Sequence, residues 1–326
     1  MKLSSRPIYK RSSSVHIPGV LAPTPVIVAA AAPFDRDVES GLARIERILA
    51  GARAQGAGLV VLPESAIGGY IREPGPEESA PDLPVGLDLE GPEIARLIAM
   101  AGELVVCAGY SEAAPGGGLY SSAVCVSGDG ILGHQRKVHL PPAERFAYTA
   151  GDSFAAFDTP AGRIGMLLCY DKLFPEAARA LALDGAEIVC CLAAWPVDRH
   201  RPARRVRDDR QTRHFAVVDQ ARAVENQVFF VSSNQTGPWG ELRFLGGAKI
   251  VDPDGVVLAR TGARAGLATA RVDLAEVRDS RLTIDHLADR RPDAYVAQPY
   301  TAAPAAAAAV APLPSAAPAA TLELLG

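Results

Sequence analysis

Arg163-Ile164-Gly165-Met166-Leu167-Leu168-Cys169-Tyr170-Asp171-Lys172-Leu173-Phe174-Pro175-Glu176 is the stretch on which the fold turns. Ile164 to Leu168 is a short apolar run, the mark of a buried strand. Phe174-Pro175-Glu176 then leads into Ala177 to Leu183. Proline at a first helical position, an acid in the first turn and good helix formers behind it predict a helix start. Gly185 closes that helix. Cys169 therefore falls where a strand has stopped and a helix has not begun. A side chain there is held rigidly and can still reach a ligand. A cysteine in an apolar run also reads as core filler, and residues elsewhere decide between the two.

Outward from this point, similar short units recur. Pro25 to Ala32 reads as a central strand, and Asp35 or Asp37 can cap the helix in which Leu42, Ile45, Leu49 and Ala52 recur at helical spacing. Leu59 to Leu62 is a short strand that Pro63 ends, which leaves Glu64 at its tip. Pro92 starts a second helix. Leu104 to Tyr110, Leu119 to Val126 and Ile131 to Gln135 read as strands, the last two joined by the turn Ser127-Gly128-Asp129-Gly130. Phe154 to Phe157 pairs with the Cys169 strand across Thr159-Pro160-Ala161-Gly162. Ile188 to Leu192 is a strand, Val206 to Val224 a long helix, and Val228 to Val231 a strand. Phe244 to Val251 and Val256 to Ala259 form a hairpin about Pro253-Asp254-Gly255, and Leu267 to Val272 is a last strand. Hairpins mixed with crossovers predict a layered α/β domain, not a purely doubly wound sheet.

Composition narrows the functional class. The chain has 326 residues, 48% apolar and 21% charged, enough to bury a substantial core. Its net charge of −4 argues against nucleic acid as the main partner. No run of about 18 apolar residues predicts a membrane span. Prolines 18, 23 and 25 interrupt the apolar stretch near the amino terminus and argue against a signal peptide. The five cysteines, an odd number and mostly in apolar runs, predict reduced thiols and a cytoplasmic protein. None has zinc-site spacing, and no GxGxxG or Walker pattern occurs. Residues 1–24 read as a flexible leader, 25–295 as the folded domain, and 296–326 as an Ala/Pro-rich tail that cannot form a core.

Three reactive residues stand at strand ends: Glu64, Lys137 and Cys169. A thiol needs a base or a nearby cation to become a nucleophile. A partly desolvated carboxylate gains basicity, and a lysine can stabilise both a thiolate and an oxyanion. Together they supply what thiol-mediated acyl transfer to water requires. Leu62-Pro63-Glu64, Arg136-Lys137-Val138-His139-Leu140 and Cys169-Tyr170-Asp171 with Phe174-Pro175-Glu176 resemble, in this order, the three catalytic signatures of the nitrilase superfamily of carbon–nitrogen hydrolases. Further similarity comes from Gly185-Ala186-Glu187, Ala194-Trp195-Pro196, Arg222-Ala223-Val224-Glu225-Asn226-Gln227, Asn234, Asp252-Pro253-Asp254-Gly255 and Arg290-Arg291-Pro292-Asp293, so the resemblance spans about residues 25–295. It implies an α/β four-layer α-β-β-α sandwich that dimerises into an αββα-αββα particle, and a cofactor-free, metal-free hydrolase. In that pattern Cys169 is the nucleophile, Glu64 the base, Lys137 the oxyanion stabiliser and Glu144 a second glutamate that orients substrate or triad. The backbone N–H of Tyr170 and the Trp195 region lie on the substrate and oxyanion side.

Tyr170 and Asp171 stand where nitrilases proper have tryptophan and glutamate, so the chain looks more like the amidase and carbamoylase branches. Gly246-Gly247-Ala248-Lys249 lacks the serine often found before the Asp-Pro-x-Gly turn. The expectation is an amidase acting on a small linear amide. N-carbamoyl amine hydrolysis is the first alternative and nitrile hydrolysis the second, with a non-catalytic binding member outside that class. The partners expected are a small amide or carbamoyl substrate and further copies of the chain, with no nucleic acid and no membrane. Other motifs have plainer readings. Asp171 orients backbone, His139 is a satisfied structural histidine, Cys190 and Cys191 are core, and Arg222 pairs with Glu225. The run Arg199 to Arg213, with seven arginines, reads as a solvated face or as recognition of an anionic group. The acidic loop Glu73 to Glu90 offers the opposite, selection of cationic amines.

Overall fold

The computed structural model describes residues 24–71 and 83–295. Residues 1–23 of the expected leader, the tail, and residues 73–82 of the acidic loop lie outside the described residues.

In the first half, strand β1 (Val26–Ala32) runs into helix α1 (Val38–Arg53), followed by β2 (Leu59–Val61), α2 (Pro92–Ala101), β3 (Val105–Ala113), β4 (Leu119–Ser127) and β5 (Gly130–Arg136). The second half holds β6 (Ala156–Thr159), β7 (Gly162–Leu168), α3 (Pro175–Leu183), β8 (Ile188–Ala193), α4 (Arg210–Asn226) and β9 (Phe229–Trp239). Then come β10 (Leu242–Leu245), β11 (Lys249–Val251), β12 (Val257–Arg260), β13 (Gly266–Arg271) and α5 (Ala275–Thr283). The compact unit that carries the sheets runs to Asp289; a second begins at Arg290 and contains a 3₁₀ turn at Pro292–Ala294.

The strands hydrogen-bond in the order β5-β4-β3-β2-β1-β9-β8-β7-β6. Between β1 and β9 only Ala31 with Asn234 and Ala32 with Gln235 pair, where β1 ends, while β13 pairs antiparallel with β1 from Val26 to Ala31. The short β1–β9 join lets the halves stack. Alternation along each strand then sorts the side chains into layers. Ile27, Ala29, Val61 and Cys107 meet Ile164, Met166, Leu168, Cys190 and Phe229 in one apolar layer between the halves. Val28, Ala30 and Val60 pack outward on Leu42, Ile45 and Leu49 of α1 and Leu97 of α2. Leu167, Val189 and Phe230 pack on Ala178 and Leu181 of α3 and Ala223 of α4. The protein is thus an α-β-β-α sandwich, as expected.

Three local readings are corrected. The helix expected from Val206 begins at Arg210, after a separate 3₁₀ turn at Val206–Asp208. Asp209 stops the turn and caps the helix by accepting from the Gln211 N–H. The strand expected over Phe244 to Val251 is two. Gly246 and Gly247 take positive φ, so β10 pairs with β9 near its end and β11 pairs with β9 further back. Helix α5 had no sequence counterpart, because it buries only Val277 and so carries no apolar stripe.

Candidate active site

Glu64 lies just beyond β2, where the chain crosses over β3. Pro63 O accepts from the Gly109 N–H at 3.3 Å, and Gly109 O accepts from the Ile67 N–H at 3.1 Å. A Cβ on Gly109 would sit 2.6 Å from Glu64 Cα, so only glycine permits this crossing. Lys137 follows β5. Its backbone N–H donates to Ser121 O of β4 at 2.8 Å, while the Ser121 hydroxyl donates to Glu64 Oε1 at 3.0 Å. Ser121 therefore ties both residues to one strand. Glu144 sits on a 3₁₀ turn, Pro142–Glu144, close behind Lys137.

These elements bring three ionisable groups together in the dry interior. The Lys137 ammonium donates to Glu64 Oε1 at 2.8 Å and to Glu144 Oε1 at 2.7 Å. Glu144 Oε1 also accepts from the Tyr70 hydroxyl at 2.5 Å, and Glu64 Oε2 from the Ala194 N–H at 3.0 Å. All three are fully buried. Burial alone would lower the lysine, but the charges of Glu144 and Glu64 outweigh it and hold the ammonium well above its usual range. Burial pushes the Glu144 carboxyl up to about 7 against the pull of Lys137, with the charge of Glu64 adding to the rise. Its second oxygen, Oε2, is buried with no hydrogen-bond partner.

Cys169 sits where β7 ends and a 3₁₀ turn, Cys169–Leu173, begins. Its φ of 45° is left-handed, a conformation that costs a non-glycine residue about 1–3 kcal/mol. Cys169 is 7% exposed, whereas the other four cysteines show no exposed surface. Burial raises its pKa well above the ordinary range. Glu64 raises it further, Lys137 pulls it down, and Glu144 again raises it. As expected of a thiol that needs a base, the sulfur keeps its proton until one takes it. The Tyr170 N–H belongs to the first turn of the 3₁₀ segment, where N–H groups lack intrahelical acceptors.

Asp171 and His139 behave as their plainer readings predict. The Asp171 carboxylate accepts from the Leu168 N–H at 3.2 Å and the His139 N–H at 2.8 Å, and bonds His139 Nδ1 at 2.9 Å. The imidazole stacks on Phe174 at 3.7 Å. Arg222 pairs with Glu225 at 2.7 Å, as expected, and it also donates to Lys172 O and Leu173 O. Trp195 packs in one apolar cluster with Cys169 and Phe215. Its N–H donates to Asn234 Oδ1 at 2.7 Å and its indole Nε1 to Gln211 Oε1 at 3.0 Å. The arginines of the 199–213 run are exposed, and their loop is gathered on two buried carboxylates, Asp198 and Asp209.

The residues that motif reading missed are Tyr70, Ser121 and a second charged group beneath Trp195. Lys172 donates to Asp219 Oδ1 at 2.7 Å, and Lys249 donates to Asp219 Oδ2 at 2.5 Å. The Ser232 hydroxyl adds a bond at 2.9 Å. Both ammonium groups lie against the Phe215 ring, at 3.1 and 4.0 Å from its centroid. One signal existed. Phe215, Asp219, Arg222, Ala223 and Asn226 form a stripe at helical spacing, and that is the buried side of α4. Its polar members hid it from an apolar count.

The chain matches the sequence pattern of the family described as Carbon-nitrogen hydrolase over residues 26–282. It is 33% identical over 263 residues to a nitrilase of Pyrococcus abyssi, covering 79% of this chain and 93% of that one. It is 34% identical over 236 residues to an (R)-stereoselective amidase of a Pseudomonas species, covering 72% and 79%. Among solved structures, it resembles a mutant amidase from Nesterenkonia sp. AN1 with a TM-score of 0.66 at 25% identity, over 84% of this chain and 97% of that one. That structure shows covalent addition of the acetamide moiety of fluoroacetamide at the active-site cysteine.

Proposed function

Since the chain belongs to the carbon–nitrogen hydrolase family, we propose that it is an amidase that cleaves a small linear amide to carboxylate and ammonia through a thioester on Cys169. The observation that carries this reading is the buried network in which Lys137 bridges Glu64 and Glu144, with Cys169 inside its electrostatic reach. A thiol protonated at rest next to a fixed carboxylate needs that carboxylate as its base.

Glu64 takes the thiol proton as sulfur attacks the amide carbon. The oxyanion that forms is met by the Lys137 ammonium and the Tyr170 N–H. Glu64 then returns the proton to the nitrogen, the C–N bond breaks, and ammonia leaves. Water, deprotonated by Glu64, attacks the thioester and releases the carboxylate and the thiol. Glu64 is held for both steps by three donors, Lys137, Ser121 and the Ala194 N–H. Glu144 keeps Lys137 charged and in place, and its unpartnered Oε2 is free to accept from a substrate N–H. Trp195 forms an apolar wall beside the sulfur.

Incubation with amides, N-carbamoyl amines and nitriles, with ammonia and carbon dioxide both measured, tests the substrate class. Ammonia without carbon dioxide from an amide is the expected result. Carbon dioxide release from a carbamoyl amine in preference to amide turnover would overturn the amidase reading. Cys169→Ala is expected to lower turnover by more than about a thousandfold with its melting temperature preserved; turnover at the parent rate would overturn the mechanism.

A further inference from the structure

The turn behind Cys169 is fastened from two sides. On one, Asp171 ties it to Leu168 and His139. On the other, α4 reaches it twice. Arg222 donates to Lys172 O at 2.7 Å and Leu173 O at 3.1 Å, and Asp219 takes the Lys172 ammonium at 2.7 Å. Lys172 also lies 4.9 Å from the Trp195 ring. That ring is held at its other end by Gln211, again from α4. One helix thus sets both the turn that carries the sulfur and the indole beside it.

Lys172 and Asp219 have no exposed surface. A buried ion pair gains little stability over well-packed apolar residues, because both charges lose their water. Its value here is geometric. The left-handed backbone of Cys169 relaxes unless its surroundings over-determine it. An ammonium gripped by a carboxylate fixes the turn's direction more narrowly than an apolar contact does.

We propose that Lys172, gripped by Asp219, is a positioning residue for the reaction at Cys169, holding the nucleophile's turn and the Trp195 wall in register with Glu64 and Lys137. The role rests on Cys169 being the nucleophile. Lys249 differs. It grips the other oxygen of Asp219 from β11 and touches neither the turn nor Trp195 among the contacts above.

That difference supplies the test. Lys172→Met leaves Asp219 paired with Lys249, and Lys249→Met leaves it paired with Lys172. Each variant keeps one buried pair and loses one cation, so a merely structural role predicts matching losses. Positioning predicts that Lys172→Met lowers kcat by about ten- to a hundredfold with KM within about threefold. Iodoacetamide should alkylate Cys169 more slowly in the same variant. Lys249→Met should stay within about threefold of the parent kcat, with both melting temperatures lowered alike. Equal kcat losses in the two variants would overturn the proposal. If Lys172→Met does not fold, Lys172→Gln replaces it, and a kcat loss no greater than that of Lys249→Met overturns it equally. Cys169→Ala is run alongside. Turnover surviving in that variant sinks the nucleophile assignment itself. An inactive Cys169→Ala with equal lysine variants sinks only the positioning role.

Discussion

Glu144 shows how a residue's chemistry is set by its surroundings. In water it would be an ordinary carboxylate. Buried, and sharing Lys137 with Glu64, it titrates near 7. Its pKa is raised, so it is neutral below that value and charged above it. If the charged form holds Lys137 for catalysis, kcat/KM should rise with pH through about 7 and level off above. Glu144→Gln, measured for its residual activity, should lack that limb. An unchanged limb in the variant would assign it to another group. The two glutamates share one cation, so the limb belongs to the coupled network and not to one oxygen. At this scale the sequence was legible as residue types at strand ends. The partners that set each charge, Tyr70 and Ser121 above all, carry no motif and lie 57 to 74 residues from the glutamates they touch.

Elements turn those residues inward. Glu64 reaches its place because its chain passes over Gly109 with no Cβ between them. Gly109→Ala should cost about 1–3 kcal/mol in stability, as other overpacked sites do, and should lower kcat by displacing Glu64. Denaturant titration beside kinetics checks both, and loss of stability with unchanged kcat would refute the link. A control lies on α1, where Asp37 caps the helix by accepting from the Ser40 N–H at 2.7 Å. Asp37→Ala should lose about 1 kcal/mol and leave kcat unchanged. Strand and helix positions were largely legible, because burial writes its period into the sequence. The start of α4 and the break at Gly246 were not. Each is decided by what the element packs against: the Asp209 cap in one case, two separate registers with β9 in the other.

For the molecule as a whole, stacking two half-sheets makes one layer too dry and too tight for reagents. Cys107, Cys125 and Cys190 lie in that layer and Cys191 under the helices, all free and buried, while Cys169 alone retains exposed surface. The native protein should therefore take up about one equivalent of iodoacetamide and the denatured protein all five. Modification of the other four before unfolding would contradict this packing. The matched relatives and the matched fold place the chain among carbon–nitrogen hydrolases. Among the described residues, no helix is long and apolar enough to cross a membrane. By itself the sequence determined the layered α/β class, the order of most elements and the acid, cation and thiol at the strand tips, because local propensity and side-chain alternation are properties of neighbours along the chain. Only the tertiary structure decided that Lys137 bridges two glutamates, that Cys169 rests protonated, and that Lys172, Asp219 and Lys249 form a second buried charged group. Those outcomes depend on desolvation and on contacts that, apart from Lys137 with Glu144, span 30 to 73 residues, and no local pattern encodes either.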